Sequence, residues 1–188
     1  ENMLETKRCK LVRFNTEYTD FYKKLQTDIQ VREYLGGIPS KSHIENNITK
    51  MIHDKLSAYW LVLNITCNEP IGIISLEKSE LFNQTEISYA FLPEWWGQGY
   101  ANETVIKVID DAFSTQCLDN LIAITQSKNM KSRELLEKNG MKRKQTQIMF
   151  DEEQSIYQIS KDEYIKLHNN DCTTYNTTSS VRVHERMI

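Results

Sequence analysis

Two glycines lie where the sequence changes from a strand pattern to a helix pattern. Gly97 and Gly99 follow an apolar run that ends at Leu92, and Pro93 prevents further strand pairing. Glycine lets the backbone turn sharply and lets a ligand approach main-chain N–H groups closely. Because the N-terminus of the next helix offers unpaired N–H donors and a positive dipole end, the turn suits a diphosphate. A tight connection without a ligand is the alternative.

The same segment lacks the residues that define the common nucleotide-binding loops. No Gly-Lys-Ser/Thr follows the two glycines, as a Walker A loop requires, and no third glycine completes a dinucleotide fingerprint. Nucleoside triphosphatases and dinucleotide enzymes are therefore disfavoured. The chain has 23 basic and 26 acidic residues, a net charge of −3, which also argues against nucleic acid as a partner.

The elements that must position this turn follow from the periodicity of the apolar residues. Strand patterns are predicted at residues 10–14, 58–65, 71–76, 85–92, 121–125, 141–150 and 155–160. Helical spacing predicts helices at residues 16–26, 31–35, 41–56, 101–113, 131–139 and 161–168. Because strands and helices do not alternate regularly, this order indicates an α/β fold of the α+β kind, with a mixed sheet.

Length and composition indicate one domain in the cytoplasm. A chain of 188 residues fits a single core, expected at residues 7–167, followed by a polar tail at residues 168–188 whose composition is typical of flexible segments. The four cysteines fall outside CxxC pairs and metal-ligand spacing. No apolar run suits a signal peptide or a membrane span of roughly 20 residues. We therefore expect a cytoplasmic protein that binds neither a metal ion nor a membrane.

Two motifs, in this order, resemble the GNAT N-acetyltransferases. The first is Glu-Ile-Ser-Tyr at residues 86–89, followed by Leu-Pro-Glu-Trp-Trp-Gly-Gln-Gly-Tyr-Ala at residues 92–101. The second is Asn-Met-Lys-Ser at residues 129–132, followed by Leu-Leu-Glu-Lys-Asn-Gly-Met at residues 135–141. Within the family the sequence is most similar to the Rim-type branch, named after enzymes that acetylate ribosomal-protein N-termini. The likeness covers roughly residues 7–167.

The match to the family pattern is incomplete at two positions. Trp96 stands where the broad family has Gln or Arg, as is common in the Rim-type branch. Leu136 stands where many members carry a tyrosine that serves as general acid, so the proton returned to the CoA thiolate must come from elsewhere. This departure leaves open a non-catalytic acyl-CoA-binding module. A nucleotide-binding regulator is a third alternative.

The resemblance implies the GNAT fold, a central twisted mixed sheet with flanking helices, and acetyl-CoA as co-substrate. Main-chain N–H groups of the turn that contains Gly97 and Gly99, called the glycine turn below, would hold the diphosphate. The main chain around Phe91 and Leu92 would pair with the pantetheine arm. An N–H group near Leu92 would bind the acetyl oxygen, and Asn129 would bond the arm. The implied cofactor-binding residues are Phe91, Leu92, Trp96, Gly97, Gln98, Gly99, Tyr100, Ala101, Asn102 and Asn129.

Glu86 and Ser132 are the candidate catalytic residues. Glu86 interrupts an apolar strand, and burial beside a cleft would raise its pKa toward the range of a general base. A solvated, outward-facing Glu86 is the alternative. Ser132 is the candidate to protonate or hydrogen-bond the departing thiolate, and a structural role at the start of a helix is its alternative. Tyr89 is interpreted as a core residue.

The resemblance implies a primary amine as acceptor, attacking the acetyl thioester while both substrates are bound. Protein N-terminal α-amines and small amines, including polyamines, amino acids and aminoglycoside-like molecules, remain open. A polycationic acceptor would need acidic groups around the cleft, and the candidates for such a cluster are Glu17, Asp20, Asp28 and Glu33. Because related enzymes often pair, a homodimer is a further expectation.

Overall fold

The computed structural model describes residues 3–175, and the side chains of residues 3–169. Its strands are β1 (Leu4–Glu5), β2 (Cys9–Arg13), β3 (Ala58–Asn64), β4 (Pro70–Lys78), β5 (Thr85–Phe91), β6 (Asn120–Gln126), β7 (Lys142–Met149) and β8 (Glu152–Ser160). Its α-helices are α1 (Thr19–Thr27), α2 (Ile29–Arg32), α3 (Lys41–His53), α4 (Tyr100–Ser114), α5 (Met130–Lys138) and α6 (Lys161–Tyr175). Short 3-10 turns occur at Thr16–Tyr18 and Pro93–Trp95.

The strands form one mixed sheet in the order β1-β2-β3-β4-β5-β6-β8-β7. Neighbouring strands run antiparallel, except that β5 and β6 are parallel. A parallel pair needs a crossover connection, because the chain must return to the end of the sheet where the first strand began. Helix α4 lies in that crossover. The mixed α/β fold predicted from the sequence is confirmed.

The sheet is split between β5 and β6. One pairing position, which joins Glu86 to Ile122, connects the two strands near their N-terminal ends. Beyond it, β5 continues to pair with β4 as far as the Gly72 and Phe91 pair. β6 pairs with β8 along its whole length. Each half of the sheet therefore keeps its own ladder, and an opening remains between the C-terminal ends of β5 and β6.

The two faces of the sheet bury separate apolar cores. Ile87 and Phe91 belong to the core that includes Val105 of α4. Ile73 belongs to a second core on the opposite face, with Ile48 of α3 and residues of α1 and α2. Successive strand residues face opposite sides of a sheet. The odd-numbered residues of β5 therefore face α4 and α5, and the even-numbered residues face α1, α2 and α3.

Helix α3 ends earlier than its apolar pattern predicts. It stops at His53, because Asp54 turns the chain and accepts hydrogen bonds from the N–H groups of Leu56 at 2.8 Å and Ser57 at 3.3 Å. Leu56 is 98% exposed, so it does not extend the buried stripe of the helix. The expected end of this helix at residue 56 is wrong, since a local side-chain cap overrides the periodicity.

Helix α6 enters the segment that composition assigns to the polar tail. It continues to Tyr175, seven residues beyond the predicted helix end at 168. The rest of the predicted tail, residues 176–188, lies outside the described residues. Within residues 3–175, no helix combines the length and the apolar character that crossing a membrane requires.

Candidate active site

A cavity of about 650 Å³ occupies the split between β5 and β6. Tyr89 and Ser132 line it on the sheet face that α4 and α5 cover, together with the glycine turn. Ser88 and Ala90 line it toward the opposite face, together with α2 and the loop after that helix. The cavity therefore reaches both faces of the sheet, so that two molecules can enter from opposite sides and meet in the opening.

Most of the residues that the sequence predicts as a site lie on this cavity. The predicted residues that line it are Phe91, Trp96, Gly97, Gly99, Tyr100, Ala101, Asn102, Asn129 and Ser132. Leu92, Gln98 and Glu86 are absent from the lining. The motifs are separate in sequence, and the fold brings them together because α4 and α5 pack on the same face of the sheet.

The glycine turn leaves the first amides of α4 open toward the cavity. Gly97 and Gly99 have φ values of +72° and +83°, a region that side chains rarely tolerate. Gly99 is the N-cap of α4 and makes no side-chain hydrogen bond, so the N–H groups of the first turn lack a cap. A Cβ atom built at Gly97 meets no atom within 4 Å. The N-terminus of α4 is therefore suited to bind an anion.

Arg8, in the segment before β2, holds the glycine turn in place through Gln98, Tyr100 and Glu103. Its Nε donates to Glu103 Oε2 at 2.7 Å, and its Nη1 donates to the Gln98 carbonyl at 2.9 Å. The guanidinium carbon lies 4.1 Å from the centre of the Tyr100 ring. Gln98 therefore contributes its carbonyl to this support rather than its side chain to the cavity. The sequence interpretation missed Arg8, because no local pattern links it to a turn 90 residues away.

Trp96 closes the end of β5 beside the turn. Its indole Nε1 donates to the Phe91 carbonyl at 2.8 Å, and its ring centre lies 5.7 Å from Lys131 Nζ. The Phe91 carbonyl is thus already bonded, which leaves the N–H of Phe91 as the main-chain group of that residue for a ligand. Lys131 adds a positive charge next to the uncapped helix end.

The sequence predicts a donor near Leu92, and the ladder decides which N–H groups there are free. The N–H of Leu92 donates to the Ile71 carbonyl at 2.9 Å, and the Leu92 side chain is buried in the core on the α1–α3 face. Because N–H groups alternate in direction along an antiparallel ladder, the N–H of Phe91 points away from β4, toward the opening. The N–H group that faces the opening near Leu92 is therefore that of Phe91.

Asn129 forms the N-cap of α5. Its Oδ1 accepts from the Ser132 N–H at 3.2 Å. The side-chain NH2 group is a separate donor, so it is the part of Asn129 that remains for a ligand in the cavity. Ser132 is consequently held inside the first turn of α5 by its main chain, while its hydroxyl makes a different contact.

The hydroxyl of Ser132 bonds to that of Tyr89 across the cavity wall. The two oxygens are 2.8 Å apart, and either one can be the donor. Burial raises the pKa of Tyr89 to about 12, and the bond to Ser132 acts in the opposite direction. The phenol is therefore protonated at neutral pH. Tyr89 also packs against the core, as expected, but its hydroxyl belongs to the site, which its position in the strand did not indicate.

Glu86 lies behind the cavity wall, on the sheet face opposite Tyr89. Burial, and to a smaller extent the charge of Glu77, its partner across the β4–β5 ladder, raise the pKa of its carboxyl group to about 7. The hydroxyls of Ser88 and Ser79 oppose this shift. Ser88 lies two residues along the same face and lines the cavity. The Glu86 carboxyl group therefore does not line the cavity itself, but it bonds to the Ser88 hydroxyl group, which belongs to a residue that does.

Glu77 is held in place by three donors. The Tyr59 hydroxyl donates to its Oε2 at 2.8 Å, Lys50 Nζ reaches the same oxygen at 3.1 Å, and the Ser75 hydroxyl donates to Oε1 at 3.0 Å. Such bonding suits a charged carboxylate. A fixed negative charge therefore stands beside Glu86. In the described part of the chain, no group of three or more His, Cys, Asp or Glu side chains is placed to hold a metal ion.

The chain is similar to known proteins along most of its length. The model of the acetyltransferase (GNAT) domain matches residues 8–142. The chain is 26% identical over 148 residues to the uncharacterized N-acetyltransferase YoaA of Bacillus subtilis, covering 75% of this chain and 83% of that protein. It is 23% identical over 190 residues to the FsC-acetyl coenzyme A-N(2)-transacetylase of Aspergillus fumigatus, covering 87% of this chain and 78% of that protein.

A solved structure with the same fold is the spermidine N-acetyltransferase from Vibrio cholerae in complex with CoA and spermine. Its TM-score is 0.73 at 18% identity, covering 84% of this chain and 98% of that one. An acetyltransferase of the GNAT family from Bacillus anthracis has a TM-score of 0.75 at 22% identity, covering 86% of this chain and 99% of that one. These two likenesses concern the fold.

The fold and the site define an acetyltransferase. Because the family model spans more than half of its length, the chain belongs to the GNAT acetyltransferase family. It is an N-acetyltransferase, and acetyl-CoA is its acetyl donor.

Proposed function

We propose that this enzyme moves an acetyl group from acetyl-CoA to a primary amine by direct attack, with both substrates bound in the split of the sheet. The observation that carries the proposal is the cavity that reaches both sheet faces between β5 and β6. Acetyl-CoA enters on the α4–α5 side and the amine on the α2 side. The acetyl group then lies in the opening, where side chains of both faces reach it.

The residues on the α4–α5 side fit acetyl-CoA. The uncapped first turn of α4 offers N–H donors to the diphosphate, and the open space at Gly97 lets the diphosphate approach the main chain. Lys131 adds a positive charge nearby. The Phe91 N–H, which points toward the opening, is the donor for the acetyl oxygen. When bound, acetyl-CoA supplies a thioester that a neutral amine can attack.

Glu86 serves as the general base. An alkylamine with a pKa of about 10.4 is neutral in only about one molecule in a few thousand at pH 7, so the enzyme must take its proton. A carboxyl group whose pKa is raised to about 7 is well matched to this task near neutral pH. Because Glu86 is not on the cavity surface, the proton passes from the amine to its carboxylate through the Ser88 hydroxyl or a water molecule.

Ser132 serves as the acid for the departing thiolate, with Tyr89 behind it. The 2.8 Å bond lets the phenol of Tyr89 donate to the serine oxygen while the serine proton moves to the thiolate. The two hydroxyls thus replace the tyrosine that many family members carry at the position of Leu136. They lie on the sheet face opposite Glu86, so acid and base act from different sides of the acetyl group.

The overall proposal is tested by the release of CoA thiol from acetyl-CoA with a panel of primary amines. We expect thiol release that depends on the amine, together with a product of the amine that is 42 mass units heavier, since about that mass is added by one acetyl group. Binding of CoA without amine-dependent thiol release on any member of the panel would contradict the proposal.

Removing either hydroxyl of the acid pair should slow the reaction to a similar extent. Ser132→Ala and Tyr89→Phe are each expected to lower kcat by about 10-fold and to leave the KM for acetyl-CoA within about twofold. Because the two hydroxyls act as one unit, the double variant should lose no more than either single variant. Losses in kcat that multiply in the double variant would show that the two hydroxyls do not act as one unit, and losses confined to thermal stability would show that the pair has only a structural role.

The sequence and the structure support three further proposals. The motif around Trp96 supports the Rim-type branch within the family. The edge strand β7, with Ile148 at 69% exposure, and the turn after it, with Phe150 at 85% exposure, support a homodimer formed at that edge. Cys9, Cys67 and Cys117, the described cysteines, are free, which supports a cytoplasmic location. Sedimentation of the full chain that finds only monomer would contradict the dimer.

A further inference from the structure

Asn139 ends α5 beside the first turn of α4, where the diphosphate of acetyl-CoA is proposed to bind. It is the C-cap of α5, and Gly140 after it has a φ of +83°, which ends the helix. Its side-chain Nδ2 lies 2.8 Å from the Leu135 carbonyl oxygen and 2.9 Å from Asn102 Oδ1. One amide group therefore joins the last turn of α5 to the first turn of α4.

The Leu135 carbonyl decides the orientation of the Asn139 amide. The two ends of an asparagine amide differ in chemistry, because the oxygen accepts hydrogen bonds and the NH2 group donates two. A main-chain carbonyl can only accept, so the end of Asn139 that meets it is the NH2 group. Rotating this amide by half a turn would place its oxygen against the oxygens of Leu135 and Asn102 and lose both bonds.

The same NH2 group fixes the amide of Asn102. Its second hydrogen needs an acceptor, and Asn102 meets it with Oδ1. The Nδ2 of Asn102 is consequently turned away from Asn139, and it makes no hydrogen bond to the side chains and main chain described for residues 3–169. Because Asn102 lines the cavity, Nδ2 is the donor that this side chain offers to a ligand.

An NH2 group at this place suits the diphosphate of CoA, and an oxygen does not. A hydrogen bond from an amide to an ionised phosphate is stronger than a bond between neutral groups. In the reversed amide, Oδ1 of Asn102 would face the phosphate oxygens and repel them. Affinity for the diphosphate thus depends on an orientation that α5 imposes, although Asn139 itself is absent from the cavity lining.

Resting on the diphosphate site proposed above, we propose that Asn139 is a positioning residue for CoA, which holds the amide of Asn102 with its NH2 group toward the diphosphate. Asn139 acts through Asn102, and the chemistry at the thioester does not involve it. A change at this position should therefore alter the affinity for CoA, while the rate of acetyl transfer from bound acetyl-CoA stays the same.

Asn139→Asp is the variant that reverses the amide of Asn102. The new carboxylate can only accept hydrogen bonds, so Asn102 must turn its NH2 group toward it. We expect the Kd for CoA, measured by calorimetric titration, to rise by at least about 10-fold, and the KM for acetyl-CoA to rise likewise with kcat within about twofold. Asn139→Leu removes the donor without attracting the NH2 group, so its Kd should rise by about threefold or less.

A double variant separates this positioning role from the charge that the substitution adds. Asn102→Ala alone should raise the Kd for CoA by about 10-fold, and adding Asn139→Asp to it should raise the Kd by no more than about a further threefold. Repulsion by the new charge itself would persist in that background. Asn46→Asp adds the same charge at an exposed position of α3 and should bind CoA like the wild type.

S-Acetylpantetheine shows whether the rest of the site is intact in the variant. It carries the thioester and the pantetheine arm but no phosphate group. Asn139→Asp should therefore use it with the kcat/KM of the wild type, within about twofold. An equal loss with S-acetylpantetheine and with acetyl-CoA would mean a general distortion of the site and would overturn the inference.

The outcomes distinguish this inference from the proposed function. Weaker CoA binding in Asn102→Ala with wild-type binding in Asn139→Asp overturns the role of Asn139, while the diphosphate site stands. The full loss from Asn139→Asp in the Asn102→Ala background overturns it in the same way. Wild-type CoA binding in Asn102→Ala overturns both this role and the diphosphate site. Intact CoA binding without amine-dependent thiol release overturns the proposed acetyl transfer alone.

Discussion

Glu86→Gln is expected to lower kcat with an alkylamine acceptor by about 100-fold, the lower range for loss of a general base. In the wild-type enzyme, kcat/KM should rise with pH through a group that titrates near 7, because the carboxyl must lose its proton before it can accept one from the amine. In Glu86→Gln, kcat/KM plotted against pH should lack this inflection. It should still rise with pH because the free amine loses its proton. Activity at a series of pH values measures both effects.

Glu77→Gln is the matched control for that variant. It removes the negative charge across the ladder from Glu86 but leaves Glu86, Ser88 and the cavity lining in place. The pKa of Glu86 should fall, so the inflection moves to lower pH while kcat at pH 8 remains within about threefold. Lys50 and Tyr59, which bond to Glu77, should affect the inflection only through that residue. An inflection that persists in Glu86→Gln would assign it to another group.

The stability of the protein provides an independent check on the same carboxyl group. The folded state binds this proton more tightly than the unfolded chain, whose carboxyl titrates near 4.5. The contribution of Glu86 to the free energy of unfolding, taken as the difference between the wild type and Glu86→Gln, should therefore fall by roughly 3 kcal/mol as the pH rises from about 4.5 to about 7, and then stay level. Glu86→Gln has no buried carboxyl group to ionise and so lacks this loss of stability. The variant should therefore unfold at a higher temperature than the wild type at pH 8.

Asn102→Asp should weaken CoA binding by about 10- to 100-fold without loss of stability. Asn102 lies in the first turn of α4 on the cavity, and its Oδ1 accepts from Asn139 Nδ2 at 2.9 Å. An aspartate of the same shape keeps that bond and suits the positive helix end, but it repels the diphosphate. Calorimetric titration with CoA measures the loss of affinity, and thermal unfolding should show an equal or higher melting temperature.

Salt and a matched charge distinguish local repulsion from a change in net charge. The difference in Kd between Asn102→Asp and the wild type should shrink as ionic strength rises, because salt screens the repulsion. Gln147→Glu adds the same charge on the exposed strand β7 and should bind CoA like the wild type. Equal CoA affinity in Asn102→Asp and the wild type would mean that the diphosphate does not lie at this helix end.

The sequence could predict the features that depend on neighbouring residues in the chain. The helix after Gly99, the strand that ends at Phe91 and the mixed order of elements all follow from local periodicity and turn residues. The glycine turn was recognised for the same reason, since its function depends on backbone conformations that glycine alone adopts readily. The mixed α/β fold therefore follows from the sequence alone.

The features that the sequence could not predict depend on long-range contacts or on strand register. Tyr89 and Ser132 are 43 positions apart, so no local pattern reveals that their hydroxyls meet. The sequence predicts a free N–H near Leu92 but cannot say that it belongs to Phe91, because one residue of strand register decides which N–H groups face the opening. Asp28 and Glu33 are close in sequence, but helix capping removes Asp28 from the cavity.

The most direct test of the central claim is a spectrum of the protein labelled with 15N at glycine and titrated with CoA. The chain has six glycines, so six amide signals report on the glycine turn, on the loop after α2 and on positions far from the cavity. We predict that the signals of Gly97 and Gly99 shift most at saturation, while that of Gly140, at the end of α5, stays within the line width. Saturable CoA binding that leaves Gly97 and Gly99 unmoved would contradict the account.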